Sequence, residues 1–229
     1  MVDLASLVSM VATSKVKKET YWLRKHNMRI SNISIALDCA HGKDVAGKQS
    51  PDGLFKEWQF SREIWKQVKS LLELEGFKVY MINEQDTEMG LSNRKSYLNS
   101  LQPSKPLVCI SLHNNAAGAD GAWHPASGVE VFTTCGNTKS DAIATLFLEM
   151  AQERFPKIKF RMDYTDGDPD KEANFTVLMS KWPSILVEWL FQDCKKDVEL
   201  LMSDAHKQSL VLFIVDFVKA LDTRYDTLS

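Results

Sequence analysis

The chain has 229 residues, of which 44% are hydrophobic and 25% charged, and its formal net charge is −2. That composition excludes disorder as the main state and predicts one domain long enough to bury a core. It also weighs against a nucleic-acid partner, which needs a basic excess, and against a transmembrane segment, which needs roughly 20 apolar residues in a row.

Residues 1–32 stand apart as an N-terminal extension. Lys15, Lys17, Lys18, Arg24, Lys25 and Arg29 face only Asp3 and Glu19, so the segment carries +4 and residues 33–229 carry −6. Leu4, Leu7, Val8 and Val11 recur at helical spacing, which predicts a short amphipathic helix. Its basic face either meets an anionic surface or is simply solvated. Residues 1–12 lack a basic leader followed by an unbroken apolar run, so no signal peptide is visible and synthesis in the cytoplasm is expected.

From Ile33 onward, apolar runs of strand length alternate with helical spacing. Strands are expected over 33–38, 77–82, 107–112, 128–134, 174–180 and 184–190, and helices over about 58–75, 138–155 and 204–221. Gly76 closes the first of these helices and Pro156 stops the second. The alternation predicts an α/β domain over 33–222, followed by a tail over 223–229. Its twisted, mixed but mostly parallel sheet of about six strands should carry helices on both faces. Ligands of such sheets collect at the carboxyl ends of the strands.

Three polar groups fall at or near those ends. His41 follows the first strand, His113 follows the third, and Glu188 interrupts the apolar run Ile185-Leu186-Val187-Glu188-Trp189-Leu190-Phe191. A carboxylate isolated in such a run is costly to bury, so it must have a partner or be protonated. Two imidazoles and a carboxylate would hold zinc with one position left open for water, and Glu57 at the start of the first long helix is the leading third ligand. The His-Glu-x-x-His metalloprotease helix is absent. The cysteines Cys39, Cys109, Cys135 and Cys194 form no Cys-x-x-Cys pair, which excludes the usual zinc-ribbon and redox motifs. The acidic residues Asp163, Asp166, Asp168, Asp170 and Glu172 lack the order of an EF-hand and read as a solvated loop.

Five ordered stretches carry a family resemblance. They are Asp38-Cys39-Ala40-His41-Gly42, Glu57 in Phe-Lys-Glu-Trp, Ser111-Leu112-His113-Asn114-Asn115, Gly128-Val129-Glu130-Val131-Phe132 and Pro183-Ser184-Ile185-Leu186-Val187-Glu188. In these the sequence resembles the zinc-dependent N-acetylmuramoyl-L-alanine amidases of the amidase-3 type, which include bacterial cell-wall enzymes and phage endolysins. The departures are Cys39-Ala40 for Pro-Gly and Gln192-Asp193 for Ser-Asn.

The resemblance implies Zn²⁺ bound by His41, Glu57 and His113, a zinc-bound water as nucleophile, and Glu188 as general acid/base. Arg94 and Asn115 would contact substrate, although Arg94 also reads as one half of a structural ion pair. The substrate implied is peptidoglycan, cut between N-acetylmuramic acid and L-alanine. The expected setting is cell lysis, with release through a permeabilised membrane. Two other readings stay open: a cysteine peptidase built on Cys39 with His41 or His113, and a peptidoglycan-binding module without catalysis.

Overall fold

The computed structural model describes residues 31–228, so the expected basic helix falls outside the described residues. The strands are β1 (Ser34–Cys39), β2 (Lys78–Ile82), β3 (Leu107–Asn115), β4 (Val129–Thr133), β5 (Lys171–Glu172) and β6 (Ser184–Phe191). They form one sheet in the order β2-β1-β3-β6-β4-β5. All neighbouring pairs are parallel except β4–β6. The helices are α1 (Glu57–Leu74), α2 (Leu91–Ser100), α3 (Lys139–Arg154), α4 (Lys195–Met202) and α5 (Asp204–Arg224), with a 3₁₀ turn at Tyr225–Thr227.

The two-residue period of the strands divides the core. Ile35 and Leu37 of β1, Ile110 and Leu112 of β3, Val131 of β4 and Val187 and Trp189 of β6 share one cluster with Trp65, Phe147, Phe213 and Phe217 from α1, α3 and α5. Burying each such side chain contributes about 1.5–3 kcal/mol. The alternate residues Ala36, Cys109 and Leu186 face the other way, under Leu98 of α2 and Val177 and Leu178. Further along that second face, the same alternation brings Asp38, Ser111, His113 and Glu188. The second face therefore turns from apolar to polar at the carboxyl ends of β1, β3 and β6.

Gly76 adopts φ 89° beyond α1, where the Gly76 and Phe77 N–H groups donate to the Glu73 and Leu72 carbonyls. That left-handed turn suits glycine and satisfies the helix end. The expected strand over 174–180 is not one. The Leu178 and Met179 N–H groups both donate to the Phe175 carbonyl, making a turn whose apolar side chains cover the sheet instead of joining it. The fifth strand is the two-residue β5, and the last helix ends at Arg224, not Leu221. Among the described residues, no helix is long and apolar enough to cross a membrane.

Candidate metal centre

β1 ends at Cys39, and the chain turns sharply to deliver His41. The φ of His41 is 37°, in the left-handed region that non-glycine residues rarely occupy. Such strain costs about 1–3 kcal/mol and persists only where its surroundings hold it. Here Arg62 holds it, donating from Nη1 to the Ala40 carbonyl and from Nη2 to the His41 carbonyl, both at 2.7 Å. Asn83 Nδ2 donates to the same His41 oxygen at 2.8 Å. Gly42 must follow, because a Cβ there would sit 2.1 Å from the Glu88 nitrogen.

Arg94 lies beneath this turn and not in the cleft. It is 1% exposed, and its Nη1 donates to the Cys39 carbonyl at 2.7 Å and faces Asp38 Oδ2 at 3.3 Å. Nε and Nη2 grip Glu88 at 2.6 to 2.9 Å. Burial alone would lower the guanidinium pKa, but Asp38 and Glu88 outweigh it and keep the group charged. The structural ion pair is thus the reading the geometry supports. Contact between Arg94 and substrate is not, because its donors are spent on β1 and Glu88.

Glu57 opens α1, where a carboxylate complements the helix N-terminus. It is 1% exposed, and its Oε1 lies 2.9 Å from His113 Nδ1 and 3.6 Å from His41 Nε2 while accepting the Asn114 N–H at 3.1 Å. One ligand atom from each of His41, Glu57 and His113 lies within 4.8 Å of the others. The imidazoles meet edge to face with centroids 4.9 Å apart. Burial pushes the His41 pKa down to about 4, so this ring is neutral at pH 7 with its lone pair available. Burial would raise the Glu57 pKa, but the His113 hydrogen bond and the two imidazoles hold it below the ordinary value. Its second oxygen, Oε2, is buried with no hydrogen-bond partner.

Glu188 pairs in register with His113 across β3–β6 and with Glu130 across β4–β6, so the three form a row on one sheet face. The register then slips, with His113 opposite Glu188 but Asn115 opposite Phe191, and Leu190 takes φ 66°. This bulge lies immediately past Glu188, a frequent device for aiming a side chain. Burial pushes the Glu188 carboxyl up to about 7; the charge of His113 opposes the rise and that of Glu57 adds to it. Glu188 Oε2 is also buried without a partner. Asn115 Nδ2 donates to Glu130 Oε2 at 2.7 Å, and its Oδ1 accepts the Ala116 N–H.

Cys39 is fully buried in the main core, and burial together with the Asp38 charge pushes its thiol up to about 12. A nucleophile needs thiolate at neutral pH, so the cysteine-peptidase reading fails here. The acidic loop is not wholly solvated either. Asp170 is 2% exposed and accepts from Thr133 Oγ1 at 2.7 Å. Among the described residues, His41, Glu57 and His113 are the one group of three or more potential ligands that converges. Arg62 and Asn83 were not anticipated: what they hold are main-chain carbonyls, which leave no pattern in a sequence.

The family model described as N-acetylmuramoyl-L-alanine amidase, of the amidase-3 type, matches residues 35–220. The chain belongs to this family. The amidase is therefore an enzyme of peptidoglycan breakdown. Among solved structures it is similar to N-acetylmuramoyl-L-alanine amidase AmiC2 of Nostoc punctiforme, at 23% identity and TM-score 0.70, over 86% of this chain and 100% of that one. An N-acetylmuramoyl-L-alanine amidase from Clostridium difficile 630 gives 23% identity and TM-score 0.69, over 83% of this chain and 97% of that one. The catalytic domain of the CD27L endolysin targeting Clostridia Difficile gives 20% identity and TM-score 0.56, over 82% of this chain and 97% of that one. These likenesses establish the fold the amidase shares with them. No curated protein matches the chain.

Proposed function

We propose that the enzyme hydrolyses the amide between N-acetylmuramic acid and the L-alanine of the stem peptide, with Zn²⁺ held by His41, Glu57 and His113 and with Glu188 as general acid/base. The observation that carries the reading is the meeting of three ligand atoms from three separate segments within 4.8 Å. Two histidines and one carboxylate are a zinc donor set that leaves room for a water. The orphaned Glu57 Oε2 fits the same purpose, since a buried carboxylate oxygen without a donor is costly unless a cation meets it.

Zinc bound there supplies a Lewis acid that polarises a carbonyl and lowers the pKa of a water to roughly 7. The protein supplies proton transfer and placement. Glu188, a buried carboxyl whose burial favours its protonated form, is the group to take a proton from the attacking water and give it to the departing amide nitrogen. Glu188 stands beside His113 in the strand register, so the proton carrier and the ligand set share one sheet edge. Arg62 and Asn83 fix the His41 main chain, and Arg94 ties the strand beneath it to Glu88.

We assign residues 33–222 to the catalytic domain and residues 1–32 to an extension. A role in cell lysis belongs to the same proposal, supported by the fold held in common with the endolysin domain.

The test compares two variants of the metal-loaded enzyme. Glu188→Gln should lose about 10²–10⁴ in turnover, the worth of a positioned acid/base, while elemental analysis finds zinc unchanged. His113→Ala should lose zinc and activity together. Normal turnover by Glu188→Gln would refute the assignment.

A further inference from the structure

We infer that Arg161 and Lys171 form a carboxylate-recognition subsite beside Glu188, and that its ligand is a free carboxylate of the stem peptide. The inference rests on the amidase reading above. Its anchor is Glu130, the cross-strand neighbour of Glu188. Glu130 is 5% exposed, and both of its oxygens are used. Oε1 accepts from Arg161 Nε at 2.6 Å and from Lys171 Nζ at 2.7 Å, and Oε2 accepts from Asn115 Nδ2 at 2.7 Å.

Two cations meet on one carboxylate, and they are far more open than their anchor. The Arg161 side chain is 33% exposed and that of Lys171 is 28% exposed. Arg161 has donors to spare: only Nε is engaged among the described residues, leaving Nη1 and Nη2 as a pair that suits a carboxylate. Both residues are ordered before any ligand arrives. The Arg161 N–H donates to the Val129 carbonyl at 2.9 Å, its guanidinium lies 5.3 Å from the Phe191 ring centre, and Lys171 pairs with Phe132 in the sheet. Three of the acidic residues nearby along the chain accept hydrogen bonds from groups other than these cations. Asp163 accepts the Thr165 N–H, Asp170 accepts from Thr133, and Glu172 accepts the Gly136 N–H.

Position decides which part of the substrate this subsite meets. β4 and β5 lie on one side of β6, whereas β1 and β3, which lead into His41 and His113, lie on the other. On that other side, the loops after β1 and β3 border a groove of about 510 Å³, whose lining includes Lys48 and Asp193, one charge of each sign. The N-acetylated glycan is uncharged, while the stem peptide carries carboxylates. The side that presents two part-exposed cations beside Glu188 therefore takes the peptide, and the groove is left for the glycan.

The experiment uses the zinc-loaded full chain and two muramyl peptides, identical except that the carboxyls beyond L-alanine are free in one and amidated in the other. Wild-type enzyme should prefer the free acid by about 10- to 100-fold in kcat/KM, the usual worth of hydrogen bonds to a charged group. Most of that preference should lie in KM. Arg161→Gln and Lys171→Gln should each lose activity on the free acid, change by less than about threefold on the amide, and so bring the ratio towards one. The ratio is independent of how much of a variant folds. If the two cations merely neutralise Glu130, both substrates slow equally and the preference survives, which overturns the proposal. A wild-type enzyme that cleaves both substrates equally well also overturns it while leaving the amidase reading intact; cleavage of neither removes both.

Discussion

A carboxyl set in an otherwise apolar strand is conspicuous in a sequence, and Glu188 was legible for that reason. So were His41 and His113, each of which ends an apolar run. Glu57 was harder, because a glutamate opening a helix is ordinary, and its pairing with His113 depends on where α1 docks. Arg94 shows the same limit from the other side, since its burial against Asp38 and Glu88 follows from tertiary packing. Replacing it with Met should destabilise the protein by about 3–5 kcal/mol, because two carboxylates lose their counter-charge and Asp38 is wholly buried. Urea unfolding measures this, and a loss below about 1 kcal/mol would contradict the bracing role. The thiols give a second prediction at this scale. Cys39, Cys109 and Cys194 are buried and Cys135 is exposed, so alkylating the native protein should modify Cys135 alone and leave activity intact. Inactivation that tracks modification of Cys39 would revive the cysteine reading.

At the scale of elements, legibility followed burial. β1, β3 and β6 are covered on both faces for most of their length and read as apolar runs. α2 was missed because only Arg94 and Leu98 of its ten residues are buried, which leaves no apolar stripe to find. The short α4 and the two-residue β5 are below the length at which periodicity can be counted. The segment 174–180 misled because apolar residues that cap a sheet face look like residues that pair within it. Gly76 was correctly placed by its position after the apolar stripe of α1. Gly76→Ala should lower stability by about 1 kcal/mol or more, since its φ of 89° disfavours any side chain. The urea midpoint should fall at constant slope, and an unchanged midpoint would show that the turn tolerates a side chain.

At the scale of the whole molecule, parallel order brings the carboxyl ends of β1, β3 and β6 to one edge, and the candidate centre is built there from residues far apart in the chain. Topology of this kind follows from strand–helix alternation, which is why the location of the site was readable before its geometry. The formal charge of −2 was less informative, because a total does not say where charges meet, as Arg161 and Lys171 do on Glu130. If the ligand set binds zinc only in the folded state, adding the metal should raise the thermal midpoint of the wild-type protein and leave that of His113→Ala unchanged. Equal shifts in both would place the metal elsewhere. The central claim is metal-dependent cleavage of one particular amide, and mass analysis of purified peptidoglycan digested with and without chelator tests it most directly. The account predicts release of stem peptides with a free L-alanine amino terminus, abolished by chelator and restored by zinc. Intact muramoyl–L-alanine linkages after digestion with zinc-loaded enzyme, or cleavage indifferent to chelator, would contradict it.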